Sequence, residues 1–358
     1  MSKFKAFLKK KDIEISGKRY GIDALSAMAQ GLFCSLLIGT IFKTLGMIPA
    51  LSFFTEIGGY AMAMAGPTMA VAIGYALKAS PMVLFSLATV GYAANTLGGA
   101  GGPLAVLFIA ILAAEFGKAV SKETKVDILV TPTVTILVGV GLSMLIAKPI
   151  GIAASWVGNI IMWATTQQPF LMGIVVSVVV GIALTLPISS AAICAALSLT
   201  GLAGGAAVAG CCAQMVGFAV MSFKENKVGG LVSQGIGTSM LQMANIVKNP
   251  KVWIAPILTS AITGPIATCV FKLQMNGAAI NSGMGTCGFC GPIGVITGWL
   301  APSEAAITNG AVAYAPTALD WIGLVLICVV LPAVLTFVFG QIERKLGWIK
   351  ENDLKLGD

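Results

Sequence analysis

Long runs of apolar residues, separated by short polar turns, recur along nearly the whole chain. A helix of roughly 20 apolar residues is long enough to cross the hydrocarbon core of a bilayer. The pattern predicts an all-α polytopic membrane protein with about ten transmembrane helices, re-entrant Gly-rich hairpins and amphipathic interfacial helices. The ten predicted spans are 22–41, 56–78, 82–94, 104–117, 128–147, 170–188, 189–201, 206–223, 252–271 and 318–339.

Two Gly-rich stretches interrupt this pattern. Residues 275–304 contain seven glycines together with Asn, Ser, Thr and Pro. Residues 95–103 form a shorter Gly-rich stretch, which also contains Asn, Thr and Pro. Each glycine in a helix interior costs about 1 kcal/mol relative to Ala. Irregular backbone at membrane depth is tolerated only where it is buried in protein or lines a cavity. We therefore predict a broken, re-entrant hairpin at 275–304, which is the usual sequence sign of a transporter's binding site.

Acids and amides on or beside the broken segments are the candidate ligands of a solute. An ionisable group near membrane depth is a functional hypothesis by default, although each acid can instead lie at an interface in water. Neutral amides pair well with buried hydroxyl groups, although they also serve as contacts between helices. The candidate solute-binding residues are Glu304, Asn281, Asn95, Gln234, Gln242, Asn245 and Glu56.

The region 151–168 is predicted to be an amphipathic helix. Trp156, Asn159 and Trp163 share one helical face there. Tryptophan is enriched at membrane–water interfaces, so this face is expected to lie in the interface plane.

Composition supports the membrane assignment. The chain of 358 residues is 57% hydrophobic and 10% charged, whereas soluble domains carry about 25% charged residues. The net charge of +8 is concentrated partly in the first 19 residues. Positive residues beside a first span hold that end in the cytoplasm and attract anionic lipid. We predict a basic cytoplasmic amphipathic segment (1–21), a transmembrane domain (22–340) and a cytoplasmic tail (341–358), with both termini cytoplasmic and no nucleic-acid partner.

Residue types also limit the chemistry of the chain. Histidine is absent, which excludes a phosphohistidine, a His-ligated metal and a Ser-His triad within this sequence. Cys287 and Cys290 form a C-x-x-C, but the motif lies in a Gly-rich hairpin without a second pair for zinc. We interpret these cysteines as packing residues. No catalytic group, metal or cofactor is predicted.

Two motifs resemble a known family. The run from GGLVSQGIGTSMLQMANIV to AITGPIA, at 229–267, and the later NSGMGTCGFCGPIG resemble the membrane IIC component of the bacterial phosphotransferase system. The closer resemblance is to the divergent EIIC-like branch that includes the perfringolysin-regulator-like proteins. It extends from about Ile22 to Phe339 and implies about ten spans, a homodimer, a re-entrant hairpin and an elevator-like or rocking transport domain.

The resemblance also bears on the mechanism. Sugar permeases of this family hold the sugar with a carboxylate in a Gly-Ile-Thr-Glu-like turn and often with a histidine. Residues 301–304, Ala-Pro-Ser-Glu, are loosely similar to that turn, and the histidine has no counterpart here. The leading hypothesis is a permease for a small polar solute, a sugar or sugar derivative, in the bacterial inner membrane. The alternatives are a solute sensor without transport and a IIC subunit that works with separate IIA and IIB proteins, which makes the chain at most the membrane subunit of a sugar phosphotransferase.

Overall fold

The computed structural model describes residues 3–46 and 49–357. Helices make up 81% of the structure, and the described residues contain no strand. Six helical stretches are long and apolar enough to cross a membrane, and a bent helix pair makes a seventh, by length and composition. The predicted all-α polytopic membrane fold is therefore confirmed, whereas the predicted set of ten spans includes one, at 189–201, that the structure contradicts.

The chain divides into two compact units. The first comprises residues 3–39 and 56–154, and the second comprises residues 40–46, 49–55 and 155–357. Helices α2 and α7 each extend past a boundary between the units. The helices up to α7 are α1 (Lys3–Lys10), α2 (Arg19–Leu45), α3 (Phe53–Ala63), α4 (Ala65–Ala76), α5 (Pro81–Gly98), α6 (Gly102–Val120) and α7 (Asp127–Thr165).

Helices α5 and α6 form an antiparallel hairpin in the first unit. The chain reverses at Gly99, whose φ of 50° is readily adopted only by glycine. Val83, near the start of α5, lies so close to Gly117, near the end of α6, that a β-carbon on Gly117 would be 2.9 Å from its side chain. The predicted break at 95–103 is thus confined to about three residues, and Asn95 lies within the last turns of α5.

Helix α7 departs from the prediction of a span followed by a separate interfacial helix. Residues 127–165 form one continuous helix through a π-helical turn at Ser143–Ala147. At 1.5 Å per residue its 39 residues measure about 58 Å, roughly twice the hydrocarbon thickness. Trp156 and Trp163 are both exposed on it, as the amphipathic pattern predicts.

The second unit is built around the almost fully buried helix α10. A β-carbon on Gly210 of this helix would overlap the carbonyl oxygen of Ser177 in α8, so glycine is required for the close approach. The helices after α7 are α8 (Pro169–Thr185), α9 (Ser190–Ala196), α10 (Gly201–Met221), α11 (Phe223–Val232), α12 (Met243–Lys248), α13 (Pro250–Val270), α14 (Cys290–Leu300), α15 (Glu304–Thr308) and α16 (Ala318–Lys345).

The predicted span at 189–201 is wrong. Helix α9 there has only seven residues and is followed by a turn in which Ser198 has a φ of 49°. Seven residues rise about 10 Å, which is far too short to cross a bilayer. This segment is a second broken element rather than a membrane helix.

Candidate solute-binding site

Two broken segments of the second unit meet and hold each other through polar groups. The hydroxyl of Ser190 donates to the carbonyl oxygen of Gly283 at 2.8 Å, and the hydroxyl of Ser282 donates to that of Leu199 at 2.6 Å. Gly201 and Met275 exchange two main-chain hydrogen bonds of 3.0 Å. We call this region, residues 189–201 together with 274–304, the hairpin junction.

Glycines shape the junction in two ways. Gly285 and Gly288 adopt φ values of 52° and 51°, which allow the sharp turns before α14. Within α14, Gly294 and Gly298 form a smooth face against the extended segment at residues 276–277. A β-carbon on Gly298 would lie 2.6 Å from the Asn276 carbonyl carbon. The Gly-rich sequence is therefore helical over residues 290–300, because close packing outweighs the low helix propensity of glycine.

An apolar core supports the junction from behind. Trp299 is 1% exposed and packs edge-to-face on Trp321, with ring centroids 4.8 Å apart. Met275 and Val295 belong to the same buried cluster. Side chains in such a core occupy fixed rotamers, so the polar groups in front of it are held in place.

Asn276 is the most informative polar residue of the junction. It is 1% exposed, and its side-chain nitrogen donates to the Gln274 side-chain oxygen at 3.1 Å. Its own side-chain oxygen, Oδ1, is buried and has no hydrogen-bond partner among the described residues. A buried acceptor left unpaired costs about 1–3 kcal/mol. The oxygen is thus suited to accept a hydrogen bond from a solute hydroxyl or an ordered water.

Two of the predicted site residues belong to the same broken hairpin as Asn276. Ser303 ties the turn to the extended segment, because its amide and hydroxyl donate to the carbonyl oxygens of Asn276 and Gly277 at 2.9 and 2.8 Å. Glu304 is the exposed first residue of α15, directly after this anchor. Asn281 is partly exposed, and its side chain packs on α14 beside Gly294.

The three other candidates in the second unit form a buried network instead. Gln242 donates to the Gln234 side-chain oxygen at 2.9 Å, and Asn245 donates to the Gln242 side-chain oxygen at 2.7 Å. Gln242 and Asn245 also donate to the main-chain oxygens of Leu354 and Lys355 at 3.0 and 2.9 Å. Gln242 and Asn245 therefore bind the C-terminal tail, and a solute would have to displace the tail to reach them.

The remaining candidates, Glu56 and Asn95, belong to the first unit. Glu56 is exposed in the first turn of α3 and accepts a hydrogen bond from the Tyr60 hydroxyl at 3.0 Å. The Asn95 side chain is partly exposed and is packed beside Gly66 and Gly102. Their role in solute binding stays a prediction.

An apolar cleft of about 500 Å³ also lies in the first unit, between α2, α4 and the start of α5. Gln30 and Thr68 are among the few polar residues that line it, beside residues such as Met64, Val71 and Leu84. A buried hydroxyl needs a partner, so this lining suits a hydrocarbon chain better than a sugar.

The C-x-x-C cysteines occupy packing positions. Both are free thiols; Cys287 is 2% exposed, and the Cys290 sulfur lies 3.6 Å from the Thr44 hydroxyl. No group of three or more His, Cys, Asp or Glu side chains suited to a metal ion occurs within residues 3–46 and 49–357.

Sequence reasoning missed the contribution of residues 189–201 because an apolar run was interpreted as a span. Pro187 followed by Ser189 and Ser190, and the later Ser198, were the available signals, since these residue types favour caps and turns. Asn276 lies in the predicted hairpin. Nothing in the sequence indicates that its side-chain oxygen, rather than the side-chain oxygen of Asn281, is the one without a hydrogen-bond partner.

A family model for the phosphotransferase system EIIC component matches residues 22–356. The chain belongs to this family. The EIIC match covers both units, including the hairpin junction and most of the C-terminal tail. The chain has no significant match among curated proteins or solved structures. As an EIIC family member, it is a multi-pass component of sugar transport in the bacterial membrane.

Proposed function

We propose that this EIIC-like chain is a permease that binds a sugar or sugar derivative at the hairpin junction and moves it across the inner membrane. Both termini lie in the cytoplasm, as the lysines beside the first span and in the loops at 118–125 and 224–227 indicate. The working unit is a homodimer, as the family resemblance implies. The single observation that carries the proposal is the unpaired, buried side-chain oxygen of Asn276 in a junction of two broken segments.

The chemistry of the junction supports a hydroxylated ligand. Asn276 supplies an acceptor, Asn281 supplies an amide that can donate and accept, and Glu304 supplies a carboxylate. Hydrogen bonds to an ionised acceptor are roughly twice as strong as neutral ones. The broken segments bring main-chain groups near the same place, because neither can complete a regular helical ladder there.

Translocation requires that the ligand site change its exposure between the two sides. Broken helices at a binding site are the usual element of alternating access, in which one part of a transporter moves around the bound solute. The junction contains glycines that suit such a motion, because the turns at Gly285 and Gly288 can change their backbone angles without steric clash.

The test begins with a ligand screen. Purified protein would be heated with a panel of sugars, sugar alcohols and amino sugars, because a ligand that binds only the folded state raises stability by RT ln(1 + [L]/Kd). Each stabilising compound would then be offered, radiolabelled, to proteoliposomes. Uptake supports the permease. Stabilisation without uptake would contradict transport and favour a sensor, and no response to any sugar-like compound would contradict the proposed solute class.

Family membership favours one second candidate, the IIC subunit of a phosphotransferase system with separate IIA and IIB proteins. In that case the solute is phosphorylated during entry and uptake depends on the general phosphotransferase proteins. Uptake would be compared in cells with and without those proteins. Equal uptake supports the independent permease, whereas uptake that is lost without them supports the IIC subunit.

A further inference from the structure

A basic pocket of about 280 Å³ lies in the first unit, where three separate stretches of chain meet. They are the end of α1, the turn after α4 and the end of α6. The residues that line it, here called the lysine pocket, are Lys10, Lys11, Lys78, Ser80, Lys118, Ser121, Lys122 and Glu123.

Five lysines against one glutamate give the lining an excess of positive charge. Glu123 is engaged by Lys10 and Lys11, whose ammonium nitrogens lie 2.9 and 2.6 Å from its side-chain oxygen. These hydrogen bonds lower the pKa of Glu123 to about 2, so the carboxylate is ionised at neutral pH. Its single charge cannot balance the five ammonium groups.

The acids beside the pocket already have partners. Asp12 pairs with Arg19 at 2.9 Å, and Glu115 pairs with Lys118 at 3.0 Å. Lys118 is only 4% exposed and also donates to the main-chain oxygens of Asp12 and Leu77 at 2.7 and 2.9 Å. Lys118 therefore forms part of the fixed wall of the pocket.

Lys78 and Lys122 supply most of the excess positive charge. Both are exposed, and Lys78 has only a long contact of 3.9 Å to the already paired Asp12. The ammonium group of Lys122 forms no ion pair within the described parts of the chain, although its charge is attracted to Asp127, which accepts a hydrogen bond from the Lys122 main-chain amide at 2.7 Å. Two lysines on the lining of one concave pocket favour an anion with several acceptor oxygens.

The surroundings identify the source of that anion. The pocket lies where α5 begins and α6 ends, and it is close in sequence to the start of α7. Large apolar side chains near it in sequence are about three-quarters exposed: Tyr75 at 77%, Phe85 at 75% and Ile128 at 74%. A ligand with hydrocarbon chains would cover these side chains, whereas a free phosphate would not.

We propose that the lysine pocket binds the phosphate group of an anionic membrane lipid, whose acyl chains lie along the neighbouring exposed apolar residues. This site anchors α1 and the turn after α4 at the bilayer surface. It is separate from the hairpin junction in both composition and ligand, and it does not depend on the proposed transport function.

The test compares lipids bound to purified protein in neutral detergent, by native mass spectrometry and thermal unfolding. The test variant is Lys78→Gln with Lys122→Gln, which leaves Lys11 and Lys118 in place. The matched control is Lys18→Gln with Lys125→Gln, two exposed lysines outside the pocket that give the same change in net charge.

The expected result is that phosphatidylglycerol binds and stabilises the wild type and the control more than phosphatidylcholine does. In the test variant, phosphatidylglycerol should bind about tenfold or more weakly, because each lysine near an anionic membrane surface contributes about 1 kcal/mol and two lysines are removed. Equal binding of both lipids, or equal loss in the control, would overturn the proposal. Stabilisation by millimolar inorganic phosphate without lipid, matching that by phosphatidylglycerol, would overturn the lipid assignment.

Discussion

Replacing Ser190 and Ser282 by alanine tests whether two hydrogen bonds join the broken segments. Each hydroxyl donates across the junction to a main-chain oxygen, at 2.8 and 2.6 Å. Both serines are buried, so water cannot replace the lost donor without entering the core. A hydrogen bond contributes about 0.5–1.5 kcal/mol, and in membrane proteins polar contacts average about 0.6 kcal/mol. We expect each variant to lose about 0.6–1.5 kcal/mol of unfolding free energy.

The double variant should be non-additive. The two acceptor carbonyls belong to Gly283 and Leu199, and the bonds join the same pair of segments. Residues that share a network show coupling energies of about 0.5–3 kcal/mol. Once one bond is lost, the segments separate more easily and the second bond stabilises less.

Chemical unfolding in mixed detergent micelles measures these differences. The control is Ser86→Ala, because the buried Ser86 hydroxyl donates within its own helix to the Met82 carbonyl oxygen at 2.8 Å. Its removal should cost less than the loss of either junction hydroxyl, because a serine that bonds back to the i−4 carbonyl does not stabilise a helix. If Ser190→Ala and Ser282→Ala were no more destabilising than Ser86→Ala, the two hydrogen bonds would not hold the junction together.

Three further predictions concern other parts of the chain. Replacing Cys287 and Cys290 by alanine should leave uptake largely intact at normal expression, because both thiols pack against neighbours; loss of uptake would restore a redox role. Single cysteines at Lys122 and Lys224 should react with an impermeant thiol reagent only from the cytoplasmic side, and labelling from outside intact cells would contradict the proposed orientation. Deleting residues 346–358 should lower the melting temperature by several degrees, since it removes the buried Leu354 and the carbonyls bound by the amide network; an unchanged melting temperature would show that the docked tail contributes nothing to stability.

Hydropathy predicted most of the long helices because the apolar run itself provides the signal. The predicted 104–117 and 206–223 correspond to α6 and α10, which begin a few residues earlier. Hydropathy gave a wrong prediction at 189–201. The apolar residues there are buried inside the protein rather than in lipid, and the residues between them form turns. Sequence cannot separate these two apolar environments, since both select the same side chains.

The amides Gln234, Gln242 and Asn245 show a second limit. They are linked in one buried network, but Gln242 and Asn245 also donate to carbonyl oxygens more than 100 residues away in the tail. The sequence predicts a separate cytoplasmic tail at 341–358, yet Ile349 and Leu354 of this tail are buried. Such long-range pairing depends on tertiary contacts that no local pattern records.

The most direct test of the account is calorimetric titration of an identified solute into purified protein. Asn276→Ala removes the unpaired acceptor of the junction, and Glu304→Gln removes the charge of the neighbouring carboxylate while keeping its size. Asn159→Ala, at an exposed position on α7, is the matched control. Each junction variant should bind about 1–3 kcal/mol more weakly, the range for losing one partner of a buried or charged hydrogen bond, and the control should bind as the wild type does. Unchanged affinity in both Asn276→Ala and Glu304→Gln would contradict the location of the site at the hairpin junction.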